Sequence, residues 1–171
     1  MKRVLLGVVM VVLLTTACSS GGRSEEDLVA DLKDGLLSED TGFGLTDEEA
    51  TCAAQGMFDA LGLHRAREID KDDDGTTSLT PEEADAAAQA VVGCADLRPV
   101  FVSTFADLGS VSDQSAGCLA AAIGDDQLIA LLASAFSGAD SASAQSEISD
   151  SLVNAMPTCL TEEEMTSLAN G

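Results

Sequence analysis

Five cysteines, one histidine and 30 carboxylates are the side chains of this 171-residue chain that could do chemistry. Four of the cysteines, Cys52, Cys94, Cys118 and Cys159, stand 42, 24 and 41 residues apart. No two make a Cys-x-x-Cys pair, which argues against structural zinc. The one histidine sits in His64-Arg65-Ala66-Arg67-Glu68, the setting of a surface residue and not of a general base. The Arg65/Arg67 pair reads as solvated. No Gly-x-Ser-x-Gly elbow and no phosphate loop occurs. The many carboxylate pairs are accounted for by helix caps and surface positions, so no catalytic residue is expected and the chain does not read as an enzyme.

One acidic run carries a named mechanism. Asp70-Lys71-Asp72-Asp73-Asp74-Gly75 resembles the first half of an EF-hand loop. In that family, oxygens at positions 1, 3 and 5 and a carbonyl at 7 hold Ca²⁺, with glycine at 6 for the turn. The resemblance implies Asp70, Asp72, Asp74 and Thr76 as ligands. Position 12, the bidentate glutamate, falls on Pro81, and Glu82 and Glu83 come one and two residues late. Glu82 is the candidate replacement. Thr80 and Glu83 also form a capping box that needs no metal. The expectation is a solvated loop without a cofactor. The alternative is weak Ca²⁺ binding, at the about 10⁻⁴–10⁻³ M of extracellular sites.

The fifth cysteine belongs to the N-terminus. Lys2 and Arg3 precede an apolar run over 4–14, and Thr15-Thr16-Ala17 is a small-residue cleavage zone. Residues 1–17 therefore read as a signal peptide, too short to span a bilayer. Leu14-Thr15-Thr16-Ala17-Cys18 resembles the lipobox of bacterial lipoprotein precursors, with Leu14 one position away from its usual place. The resemblance implies diacylglyceryl attachment at Cys18, which becomes the mature N-terminus, and Ser19-Ser20-Gly21-Gly22 has linker composition. Two acyl chains give stable anchoring where one is marginal. The plain secretory alternative leaves Cys18 as an odd thiol.

Cleavage would take the formal charge from −22, less the charges of Lys2 and Arg3, to −24. That argues against nucleic acid and against adsorption to anionic headgroups. Solubility and self-repulsion account for most of it. The chain has no Trp and no Tyr, so stacking platforms for sugars or bases are poorly supplied.

The chain repeats itself. Thr46 and Ser112 each stand six residues before a cysteine, Cys52 and Cys118. Asp85 and Asp150 each stand nine before Cys94 and Cys159. The offset is 66 residues at the first pairs and 65 at the second, which reads as two tandem units. Setting Cys18 aside leaves an even number of cysteines in an exported chain, hence two disulfides. Pairing Cys52 with Cys94 and Cys118 with Cys159 closes each unit on itself.

The elements that must position these residues are helical throughout. Residues 25–37 carry leucines at helical spacing behind Ser24. Thr46 and Glu49 form a capping box for a helix over 47–61, with a short helix after Gly62. A helix from Pro81 to about Val92 follows the Thr80–Glu83 box. Further helices are expected over 97–108, 112–123, 127–136 and 147–156, and Thr161 and Glu164 cap a last one. The expected fold is all-α, a disulfide-stapled bundle of two repeats of about 65 residues. Residues 1–17 are the signal, 18–24 the lipidated tether and 25–171 a single domain, with unit one about 25–95 and unit two about 96–171.

The two cysteine units, each preceded by a capped helix start, resemble small uncharacterised four-cysteine lipoproteins of high-GC Gram-positive bacteria. That resemblance implies no activity. The reading is a lipid-anchored domain on the outer face of the cytoplasmic membrane, contacting an envelope partner without catalysis.

Overall fold

The computed structural model describes residues 23–38, 43–71, 78–107 and 111–170. These form eight helices and, among the described residues, no strand: α1 (Glu25–Leu37), α2 (Asp47–Asp70), α3 (Pro81–Cys94), α4 (Arg98–Ala106), α5 (Asp113–Ala121), α6 (Asp125–Ser137), α7 (Ala142–Cys159) and α8 (Glu162–Asn170). No single helix among them is long and apolar enough to cross a membrane.

Local chemistry sets the boundaries. Ser24, Thr46 and Thr80 each accept the backbone N–H three residues on, and Asp27, Glu49 and Glu83 reach back to the cap amide. Each box satisfies two otherwise orphaned donors. Glu164 closes the same box on Thr161 at the start of α8. Within α2, Gly62 takes φ 75° and ψ 157° and breaks the helix axis, a conformation that favours glycine. α6 ends on Gly138 in the left-handed region.

The expected helix over 147–156 is longer than the sequence suggested. α7 starts at Ala142 and continues through Pro157 to Cys159. The expected end at 156 fails because the helix continues through Pro157, an exposed residue third from its end, with the loss of one backbone donor there. The Leu160 N–H then closes the turn on the Met156 carbonyl at 2.9 Å.

The helices pack in the order α1 on α2, α2 on α3, α3 on α6, α6 on α7, α7 on α5 and α5 on α4. The main core joins Ala50, Ala53, Ala54 and Met57 of α2 to Ala87, Ala88 and Val91 of α3 and Leu128 and Leu132 of α6. Small side chains bring the α2 and α3 axes close together. A Cβ on Gly56 would lie 2.9 Å from the Ala90 Cβ. A smaller cluster of Val111, Ala116, Leu119 and Leu160 holds the start of α5 against the end of α7. A third, Leu28, Phe58 and Ala66, seats α1 on α2. Ile123 and Val91 are the largest side chains wholly buried. A core so short of large groups offers little apolar area per residue, and covalent staples compensate for that.

Candidate functional site

Both expected disulfides are formed. Cys52–Cys94 has a Cα separation of 5.6 Å and Cys118–Cys159 one of 5.4 Å, within disulfide reach. Cys52 and Cys118 each occupy the second turn of their helix, and Cys94 and Cys159 each end theirs. Each bridge therefore fastens one helix start to another helix end. Cys52 is exposed, whereas the other three are half-buried.

A carboxylate lies beside each bridge. The Thr46 backbone N–H and hydroxyl hold Glu49 below the usual carboxylate range, and the Asp96 backbone N–H adds to them. Glu164 collects more donors. Its carboxylate accepts the Thr161 N–H at 2.8 Å, the Ser112 N–H at 2.8 Å and the Ser115 hydroxyl at 2.9 Å. The Thr161 amide first, then that of Ser112, lower it to about 2. One carboxylate thus satisfies orphan donors at the N-termini of both α8 and α5. No local sequence pattern announces this bridge, because Ser112 and Glu164 are 52 residues apart.

The acidic run is placed only at its edges. Asp70 ends α2, and its carboxylate accepts from the Arg23 guanidinium at 2.5 Å. Arg23 also bonds Asp31 of α1. The Arg67 guanidinium donates to the Arg23 carbonyl at 2.8 Å and 3.2 Å. At the far edge Arg65 donates to the Ser78 carbonyl at 3.0 Å and to Glu83 at 2.8 Å and 3.2 Å. Thr80 first and Arg65 second lower Glu83, while Glu83 raises Arg65. The reading of Arg65 and Arg67 as solvated is thereby corrected, since both are clasps between segments distant in sequence. Glu82 is exposed in the first turn of α3. Asp72, Asp74 and Thr76, like Cys18, lie outside the described residues. Among the described residues no three His, Cys, Asp or Glu side chains are grouped to hold a metal. His64 is a surface side chain, 91% exposed, with Glu68 as its neighbour.

An open groove of about 650 Å³ runs between α3 and α6. Asp85, Asp125 and Asp126 form its rim, and Val92, Ile129 and Ala130 supply its apolar part. Asp125 in turn accepts from Arg98 at 2.6 Å, and Arg98 also donates to the Ile123 carbonyl at 3.4 Å. Asp125 first, then Asp96, raise the Arg98 pKa. Sequence reasoning missed this groove, because its walls come from helices more than 30 positions apart.

Comparison of the chain with protein-family models, with curated proteins and with solved structures finds no match.

Proposed function

We propose that this chain is a lipoprotein, tethered through Cys18 to the outer face of the cytoplasmic membrane. Its helical domain would bind an envelope partner without catalysis. One observation carries the reading: the four downstream cysteines are spent on each other in two disulfides, and Cys18 is left over in a lipobox-like sequence. Disulfides persist in oxidising compartments, which agrees with export. The cap chemistry supports the non-catalytic part. Asp27, Glu49, Glu83 and Glu164 are all displaced downward by helix-start donors. These four are therefore committed to helix starts and are not poised as general acids or bases at neutral pH. The α3–α6 groove, with an acidic rim over an apolar floor, is the surface offered to a partner carrying basic and apolar groups.

The test has two arms. Intact mass of the membrane-extracted protein should give the acylated Cys18 form, and Cys18→Ala should leave the membrane fraction or persist as precursor. A photo-crosslinking residue in place of Gln89, on the groove, should trap a partner in native membranes more often than one in place of His64. Equal trapping at both positions would remove the groove from the proposal.

The two disulfide units are further proposed to be tandem copies, about 25–95 and about 96–171. The matching cysteine positions within their helices support this. So does the matching packing, α1 on α2 with α4 on α5, and α2 on α3 with α5 and α6 on α7.

Weak Ca²⁺ binding through the Asp70 loop is the second reading. The spacing of Asp70, Asp72, Asp74 and Gly75 supports it, although Arg65 already pairs with Glu83 at the far edge of the loop. Asp70 would have to exchange Arg23 for the cation. A melting temperature unchanged at about 10 mM Ca²⁺, well above such affinities, would exclude it.

A further inference from the structure

Arg23 is a strap. Its guanidinium bonds Asp31 on α1 and Asp70 at the end of α2, and its carbonyl accepts both donors of Arg67. The backbone at Arg23 is therefore fixed at one place on the domain. Only five peptide steps separate Cys18 from Arg23, a reach of at most about 18 Å.

That place lies at one end of the α2–α3 pair. Arg65, two residues before Arg67, bonds Glu83 in the first turn of α3, so the strap and the start of α3 share an end. Cys94 closes the other end of α3 on Cys52. The 14 residues of α3 set the two ends about 20 Å apart at 1.5 Å per residue.

We infer that the Arg23 strap fixes the orientation of the domain on a lipid surface. The α2 C-terminal end, marked by Lys71, faces the headgroups. The Cys52–Cys94 end, with Gly93, faces away. The inference rests on lipidation at Cys18. Charge is not what sets this orientation, because the strap pairs the Arg23 guanidinium with Asp31 and Asp70 and leaves it little to offer anionic lipid. The short tether and its fixed point of exit set it, so it holds on neutral vesicles and at high salt.

The experiment uses the full lipidated chain in phosphatidylcholine vesicles with a headgroup-borne spin-label quencher. A fluorescent non-natural amino acid replaces Lys71, which is exposed, or Gly93, where an added Cβ meets nothing within 4 Å. Quenching is expected to be several-fold greater at position 71 than at 93, with the same ratio in 0.1 M and 1 M salt. Arg23→Ala combined with Arg67→Ala, which removes the side-chain bonds to Asp31 and Asp70 and the bonds to the Arg23 carbonyl, should bring the ratio toward one. Equal quenching in the parent protein, or more at 93, overturns the orientation. A ratio unchanged by the double variant overturns the strap as its cause. Mass spectrometry of the same sample separates the two claims. Equal quenching with the acyl mass present sinks the orientation alone, and absence of the acyl mass sinks lipidation and orientation together.

Discussion

At the Cys52–Cys94 junction Glu49, on the helix that carries the first cysteine, reaches forward to the start of α4. At the Cys118–Cys159 junction Glu164, on the helix that follows the second cysteine, reaches back to the start of α5. The covalent frame is nearly identical, with loops of 42 and 41 residues. The packing around it differs. Ala50, Ala53, Ala54, Ala87 and Ala88 are wholly buried beside the first bridge. Beside the second stand four buried side chains and a carboxylate network. The first junction rests chiefly on close apolar contact between helices, the second on a smaller apolar cluster joined by hydrogen bonds to one carboxylate. The contrast shows how a single staple can be supported by two different sets of forces.

Removing the staples tests that contrast most severely. A closed loop of about 40 residues is worth about 4 kcal/mol in the chain-entropy model. Cys52→Ser/Cys94→Ser and Cys118→Ser/Cys159→Ser should each therefore lower the melting temperature by roughly 8–15 °C. Local consequences should differ. Without Cys118–Cys159, amides of α8 and the last turn of α7 should lose hydrogen-exchange protection first, because little apolar contact replaces the bridge. Without Cys52–Cys94, α2 and α3 should keep theirs up to global unfolding. Protection lost equally in both variants would mean that the two junctions are alike in kind.

Glycines sharpen the comparison at smaller cost. Gly56→Ala places a methyl 2.9 Å from the Ala90 Cβ, and a Cβ cannot rotate aside. Overpacking costs about 1–3 kcal/mol, and the helix-propensity gain offsets at most about 1 kcal/mol. The variant should lose about 1–2 kcal/mol by chemical denaturation, and Ala90→Gly in the same chain should recover most of it. Gly117 sits in α5 next to Cys118, and a Cβ there meets nothing within 4 Å. Gly117→Ala should instead gain up to about 1 kcal/mol. The same substitution with opposite signs would place the close helix contact in the first junction only.

How far the sequence reached depends on the range of each interaction. Caps act over three residues, so Thr46–Glu49, Thr80–Glu83 and Thr161–Glu164 were readable from type and spacing alone. Cysteine pairing acts over about 40 residues, yet the matching spacings of Cys52 to Cys94 and Cys118 to Cys159 made it readable. The bonds that organise the candidate sites were not. Arg23 to Asp70, Arg65 to Glu83 and Glu164 to Ser112 span 47, 18 and 52 residues. A long polar side chain finds such a partner only after the helices have packed. Reading Arg65 as solvated failed for this reason, since nothing near it in sequence distinguishes a clasp from a surface charge. The reading that ended α7 at 156 failed differently: the helix-breaking tendency of proline is local, and α7 continues past Pro157 to Cys159 despite it.

The smallest effect lies in the carboxylate of the second junction. Glu164 is held at about 2 against a reference of 4.5, a depressed acid. Its contribution to stability is full above the unfolded value, begins to fall below about pH 4.5, and is gone once pH passes the folded value. Glu49 shifts in the same direction through its own cap, so the first junction also weakens in acid. It keeps its buried alanines, however, whereas α8 has only Leu168 packed against the neighbouring cluster. Between pH 6 and pH 3, intrinsic-rate-corrected exchange should therefore rise at α8 before it rises at α3. Glu164→Gln keeps an acceptor for one amide and discards the charge. In that variant α8 should already be less protected at pH 6, and its protection should fall no further relative to α3, whose own cap carboxylate Glu83 also weakens in acid, between pH 6 and pH 3. A Gln variant in which α8 still loses protection ahead of α3 over that range would show that some other carboxylate, not Glu164, joins α8 to the start of α5.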